Sequence, residues 1–455
     1  MPTLYPLSSS QQVMYYQMKY STKKAIINIC TGMHFDEEID PNLMMQAIYL
    51  GICRNKSSFT RVRKDGKAIK QYYSESSPEK IMTFDYNDTD EEELESDIKR
   101  WCETPFPKNS IDTQLYKARF IKKPDGHYMI HFVVSHLAFD AYSLMAMASD
   151  ILNCYKALMN GEAIAPSKAN PLGTMQAEGS YYGSEKFKKD AEFWNDLLES
   201  EGEPLYTSFN PYGSKEYKGN TERQGKTMFP LRDKGIYYKK RLCADLVKKV
   251  NETAKEIGVS PQVLYLLAVR SWLCKMHNYS SDALILNTVA RRATLAQKRA
   301  GGTRVIAVYF RMNLDNELSF RDACLVMQDK QNAYYKHSDY PVFFIAKKYR
   351  ELFNAANMYG YNSINVTYQP YFVAQDDDIP VHFTTYSNGA TSSSCYLTIM
   401  ALDNSGDLIF NYDYQPQFYT EETIDKVHEH ITRFLTEATN DPYLKISELM
   451  RFKEK

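Results

Sequence analysis

A histidine and an aspartate four residues apart, His136 and Asp140, stand where an apolar run ends and an amphipathic one begins. Near pH 7 a neutral imidazole can accept and return a proton, which makes His136 a candidate general base. Each residue also has a plainer role. Asp140 suits a helix N-cap accepting a hydrogen bond from the Ser143 amide, and His136 suits a hydrogen-bonded core position. The pair alone does not choose between these roles.

The elements that must position the pair are readable. From Gly126 to His136, Ile130, Phe132, Val133 and Val134 favour a buried strand. Alternation along it puts His136 on the face of Val134 and Phe132, and Ser135 on the other face with Val133 and His131. A Ser135–His136 nucleophile and base pair is therefore not expected. From Ala141 to Leu158, the residues Leu144, Met145, Met147, Ala148, Ile151, Leu152, Tyr155 and Leu158 recur at helical spacing.

The segment Ser135-His136-Leu137-Ala138-Phe139-Asp140-Ala141 resembles the HHxxxDG signature of the condensation-domain branch of the CoA-dependent acyltransferase superfamily, with the first His and the Gly replaced. Six further segments resemble that family in the same order. They are Tyr5 to Gln12 (its PLSxxQ opening), the helical Val263 to His277 leading into Leu284 to Arg292, Gly302 to Arg311 (GxFVNTLPLR), His337 to Pro341 (HQDYPF), Thr367 to Pro370 (SYQN), and Asp407 to Phe418 (LxLxYNTDLF). Ser260 and Pro261 make a good start for the second of these, as cap and first helical residue.

The resemblance implies an α/β fold of two chloramphenicol-acetyltransferase-like lobes forming a V with a central tunnel, residues 1–170 carrying the motif and residues 171–455 forming the second lobe. It implies transfer of an acyl thioester, held on the phosphopantetheine arm of a carrier protein or on CoA, to an amine or hydroxyl acceptor, with no bound cofactor. His136 would orient the acceptor and take its proton. Amides near Asp140 and Ala141 would stabilise the oxyanion. Asp140 would be architectural, paired with Arg292, with Arg291 a solvated or alternative neighbour. Ala141 for Gly narrows the approach, and Ile306 replaces a usual Asn; a non-catalytic scaffold that binds carrier proteins is the competing reading. The DFGWG segment of plant-type alcohol acyltransferases is absent.

Composition sets outer bounds. The chain has 455 residues, with 55 basic and 56 acidic side chains and a net charge of −1, so no global field draws it to nucleic acid. The Asn160–Gly183 stretch, with Pro166, Pro171, Gly173 and Ser180, reads as a linker, and Ser200–Gly225 as a surface loop before a strand at Ile236–Leu242. The acidic run Asp88–Asp97 suits the start of a surface helix. Eight cysteines without CxxC spacing suit reduced thiols in a cytoplasm rather than a metal site. Cys395 could line a channel. His428-Glu429-His430 lacks the spacing for a zinc pair on one helix face, and His337 and His382 read as packing or hydrogen-bonding residues. The thirty-six tyrosines identify no ligand. No apolar leader or membrane-length span is visible, and the chain reads as a free-standing unit.

Overall fold

A computed structural model describes residues 2–74, 76–164, 175–176, 178–210, 218–227, 233–292, 294, 297–298, 301–370 and 379–451. In chain order the first part forms β1 (Tyr5–Pro6), α1 (Ser9–Tyr20), β2 (Asn28–Phe35), α2 (Pro41–Arg54), β3 (Thr60–Asp65), β4 (Ala68–Tyr73), β5 (Met82–Asp85), α3 (Glu91–Glu103), β6 (Tyr116–Lys122), β7 (Tyr128–Ser135) and α4 (Ala141–Met159). The remainder forms α5 (Glu185–Glu201), β8 (Gly225–Lys226), β9 (Ile236–Leu242), α6 (Ala244–Ile257), α7 (Pro261–Met276), β10 (Leu284–Val289), β11 (Ile306–Arg311), α8 (Phe320–Lys336) and α9 (Val342–Phe353). It ends with β12 (Tyr359–Gly360), β13 (Ile364–Gln369), β14 (Val381–Tyr386), β15 (Cys395–Met400), β16 (Leu408–Tyr414), α10 (Glu421–Asn440) and α11 (Ile446–Arg451).

Two lobes result, each a sheet covered by helices. The first lobe's sheet has the order β14-β2-β7-β6-β5, with β7 central and antiparallel to both neighbours. Alternation along β7 divides its contacts: Ile130, Phe132 and Val134 join the core with α2 and α4, whereas Met129 and Val133 pack with Leu94, Ile98 and Cys102 of α3. Gly51 lets α2 lie close against α4, because a Cβ there would overlap Ile151. The second sheet has the order β11-β10-β13-β15-β16-β9. Beneath it α7, capped by Ser260 with Pro261 in its first turn, is buried continuously from Gln262 to Cys274. Among the described residues no single helix is long and apolar enough to cross a membrane.

Strand β14 comes from the far part of the chain yet completes the first lobe's sheet, pairing with β2 from Val381 opposite Phe35 to Tyr386 opposite Cys30. Where one lobe passes to the other at 170/171 lies outside the described residues, as do Pro166, Pro171 and Gly173. Three expectations need correction. Part of the Ser200–Gly225 stretch turns inward: Tyr206, Thr207, Ser208 and Phe209 are buried, and the Phe209 carbonyl accepts from Trp272 Nε1 at 3.2 Å, because its aromatic residues fill space beside α7. Residues 211–217 of that stretch are outside the described set. Cys395 faces the core of the second lobe, and the pleat turns its neighbour Tyr396 to the cavity instead. Asp97 is not a solvated member of α3, since it pairs with the fully buried Arg119.

Candidate active site

Strand β7 stops at Ser135. Its carbonyl accepts hydrogen bonds from the amides of Ala138 and Phe139, at 2.9 and 3.0 Å, which forces a tight turn. Leu137, Ala138 and Phe139 anchor that turn in the core. The His136 amide donates to Ile27 O at 2.8 Å, and the His136 carbonyl accepts from Thr303 Oγ1 at 2.7 Å. His136 does not share the face of Val134 and Phe132, as alternation alone suggests. The turn redirects its imidazole to the wall of the cavity between the lobes.

Burial is the largest influence on His136 and lowers its pKa below the ordinary value, outweighing the upward pull of the Asp140 carboxylate and the His136 and Phe139 carbonyls. The ring is therefore neutral at pH 7. Its Nδ1 is enclosed without a hydrogen-bond partner of good geometry. Ser135 is fully buried, and its Oγ accepts from the Leu137 amide at 3.3 Å. One long neutral hydrogen bond of this kind supplies about 1 kcal/mol. Ser135→Ala should accordingly change any turnover by less than about tenfold; a loss as deep as that of the His136 variant would show that the hydroxyl takes part in the chemistry.

Asp140 has no exposed surface and caps α4. Its Oδ1 accepts from the Ser143 amide at 2.8 Å, while the Asp140 amide donates to Ser143 Oγ at 2.9 Å. That second bond corrects one expectation, because an amide engaged in a capping box is not available to an oxyanion. The Ala141 amide remains a first-turn donor without an intrahelical acceptor. Arg292 Nη2 reaches both Asp140 oxygens, at 2.9 and 2.8 Å, and the Arg304 amide donates to Oδ2 at 3.0 Å. Burial alone would raise the Asp140 pKa; Arg292 and the Arg304 and Ser143 amides more than reverse this, so the carboxyl lies below its usual range. Arg292 also donates to the Gln297 and Gly302 carbonyls and stacks over Tyr142 at 4.9 Å.

The loop that delivers Arg292 crosses from the second lobe onto the first. Gly302 N donates to Ser57 Oγ at 2.7 Å. At Gly301, with φ of +67°, a Cβ would overlap that same hydroxyl, so both the conformation and the close approach require glycine. Arg291, expected to be a solvated or alternative neighbour of Arg292, is buried in a network of its own. Its side chain is 6% exposed, donates to Ser10 Oγ at 2.7 Å and Arg304 O at 2.8 Å, and pairs with Asp339 and Glu178 at 3.3 and 3.5 Å. Sequence reasoning missed this network. The adjacent arginines and the aspartate of His337–Pro341 were its visible signals, and Glu178 left none.

His136 and Ala141 of the first lobe and Thr288, Ile306, Thr367 and Tyr396 of the second line a single cavity of about 810 Å³. That volume lies within the range of small-molecule sites. The arrangement places a neutral base on the wall of a cavity between the lobes, held by a charge pair that does not itself line it.

The family model described as Condensation domain matches residues 1–455. The chain is 22% identical over 451 residues to a plipastatin synthase subunit of Bacillus subtilis (strain 168), covering 98% of this chain and 17% of that protein. It is also 22% identical over 455 residues to surfactin synthase subunit 1 of the same organism, covering 98% of this chain and 12% of that protein. The chain thus spans less than a fifth of the length of these relatives. Among solved structures, the first condensation domain of the calcium-dependent antibiotic synthetase, in complex with a substrate analogue, superposes with a TM-score of 0.80 at 16% identity, covering 98% of this chain and 99% of that one. VibH, an NRPS condensation enzyme, gives 0.74 at 14% identity, covering 97% and 98%. With the two-lobed architecture and a family match along its full length, the chain belongs to the condensation-domain family.

Proposed function

We propose that the protein is an acyltransferase that joins an acyl thioester, carried on the phosphopantetheine arm of a carrier protein or on CoA, to an amine or hydroxyl acceptor. One observation carries this reading: His136, neutral at pH 7, lines a cavity into which both lobes contribute. The acceptor is oriented by the imidazole, which takes its proton as the nucleophile attacks the thioester carbon. The thiol then leaves with a proton as the tetrahedral intermediate collapses. The Ala141 amide at the start of α4 is the nearest candidate for balancing the oxyanion. Asp140 and Arg292 hold the turn and carry no proton. The relatives being parts of peptide synthases supports carrier proteins as partners. A solved starter condensation domain of rhizomide synthetase in complex with C8-CoA, similar at a TM-score of 0.80, keeps CoA thioesters in view as donors. All eight cysteines are free, in keeping with a reducing cytoplasm.

The test is loss of thioester and the mass of the product when purified protein meets acylated carrier protein or acyl-CoA with a panel of amines and alcohols. Ala141 favours a second reading, a scaffold that binds carrier proteins without turnover, because its side chain stands on the wall of the same cavity as His136. Ala141→Gly should leave an active transferase unchanged or faster, at a stability cost of about 1 kcal/mol for glycine in a helix. If neither form consumes any thioester while the wild type still retains carrier protein in a pull-down, the scaffold reading replaces the enzyme.

A further inference from the structure

On the cavity face of the second sheet, three side-chain acceptor oxygens lack a hydrogen-bond donor. Alternation along β13, β15 and β16 turns Asn365, Thr367, Tyr396, Asn411 and Asp413 towards the cavity. The hydroxyls there are satisfied: Thr367 Oγ1 bonds Thr288 Oγ1 and Tyr396 OH at 2.7 and 2.8 Å, and Tyr237 OH bonds Thr385 Oγ1 at 2.6 Å. The acceptor oxygens are not. Asn365 Oδ1, Asn411 Oδ1 and Asp413 Oδ1 are all enclosed without a donor.

Asp413 is the decisive member of this set. It lies directly across from Tyr396 on one side and Tyr237 on the other, so two aromatic rings flank its carboxyl. Gly235 packs against its Oδ1, where a Cβ would overlap that oxygen. No hydrogen bond or ion pair reaches it from the described residues. The other cavity aspartate, Asp233, is fully engaged by the Ser21 and Thr22 hydroxyls and the Lys23 amide. A carboxyl buried without a donor is costly and persists where a ligand supplies the missing partner. An ammonium has three donors and no acceptor, and its charge is favoured by the faces of flanking aromatic rings.

We propose that this wall is a subsite for a protonated, non-reacting amino group of the substrate, with Asp413 as its counter-charge, Tyr237 and Tyr396 beside it, and the Asn411 amide oxygen as a further acceptor. The proposal rests on reading the cavity as a substrate site and deepens that reading to aminated substrates. A purely hydrocarbon chain in the same place would leave the carboxyl unpaired. Burial, with no positive group to oppose it, holds the empty Asp413 carboxyl well above the usual carboxylate range. Capture of an ammonium therefore releases its proton.

Ligand-observed NMR titrations with n-hexylammonium chloride and its neutral match n-hexanol test this on the wild type, Asp413→Asn and His136→Ala. The wild type should bind the ammonium at least tenfold more tightly than the alcohol, releasing up to one proton per ligand to an indicator dye at pH 7. Asp413→Asn should erase the preference while leaving hexanol affinity within twofold. His136→Ala should keep it, so a protein that shows the preference but no thioester turnover would fail only as a catalyst. Equal affinities in the wild type, tighter binding of hexanol, or an ammonium preference that survives Asp413→Asn would each overturn the subsite. Proton release by the wild type needs no variant and holds the test open if Asp413→Asn does not fold; its absence on ammonium binding counts against Asp413.

Discussion

Removal of the imidazole in His136→Ala is expected to lower thioester turnover by about a hundredfold or more while leaving the fold unchanged. A positioned base contributes roughly 10²–10⁴ in rate, and no second neutral histidine lines the cavity among the described residues to replace it. The fold should not register the change. What ties residue 136 to the protein is backbone, its amide on Ile27 and its carbonyl on Thr303, and an alanine keeps both bonds. Stability should fall by no more than about 1 kcal/mol, the usual cost of a single substitution. Undiminished turnover would remove His136 as the base. Because burial depresses its pKa, the active neutral form should persist below the ordinary histidine value. Activity should thus be flat from pH 7 upward and fall only on acidification beyond that value.

What the sequence disclosed follows the range of the forces involved. Strand β7 and helix α4 were legible because their apolar residues repeat with periods of two and 3.6, and the cap was legible because aspartate three residues before a serine at a helix start is a local pattern. The aim of His136 was not, since two hydrogen bonds to the Ser135 carbonyl set the turn and end the alternation one residue early. Burial of Arg291 depends on Ser10, Glu178 and Asp339, which come from three distant segments and leave no mark beside it. Strand β14 reads as any half-exposed strand; its partner β2 lies some 350 residues away, and nothing local names which sheet it joins. Asp413 shows the same limit. Alternation puts it opposite Tyr412, but only the meeting of two lobes decides which of those faces becomes a cavity.

Arg292→Gln should be strongly destabilising, at about 3–5 kcal/mol, because it leaves a carboxylate buried without its counter-charge. Asp140→Asn should be destabilising too, because its single carbonyl oxygen can replace only one of the two carboxylate oxygens that accept from the Ser143 and Arg304 amides, and its NH2 then faces the other donor. The two substitutions share one interaction, so the double variant should lose clearly less than the sum of the singles; additive losses in thermal or urea unfolding would deny the coupling. The pH dependence gives a second check. In the wild type the Asp140 pKa is depressed, so its contribution to stability is present above the unfolded carboxylate value of about 4 and is lost as pH falls through the lower folded value. Without Arg292, burial is opposed only by two amides and the folded pKa moves up, so that stability is lost as pH rises from the unfolded value instead. The gap between Arg292→Gln and wild type should therefore widen steadily from about pH 4 to pH 7. A gap that stays constant over that range would mean that Arg292 acts by packing on Tyr142 and tying the Gly301–Gly302 loop, with its charge on Asp140 immaterial.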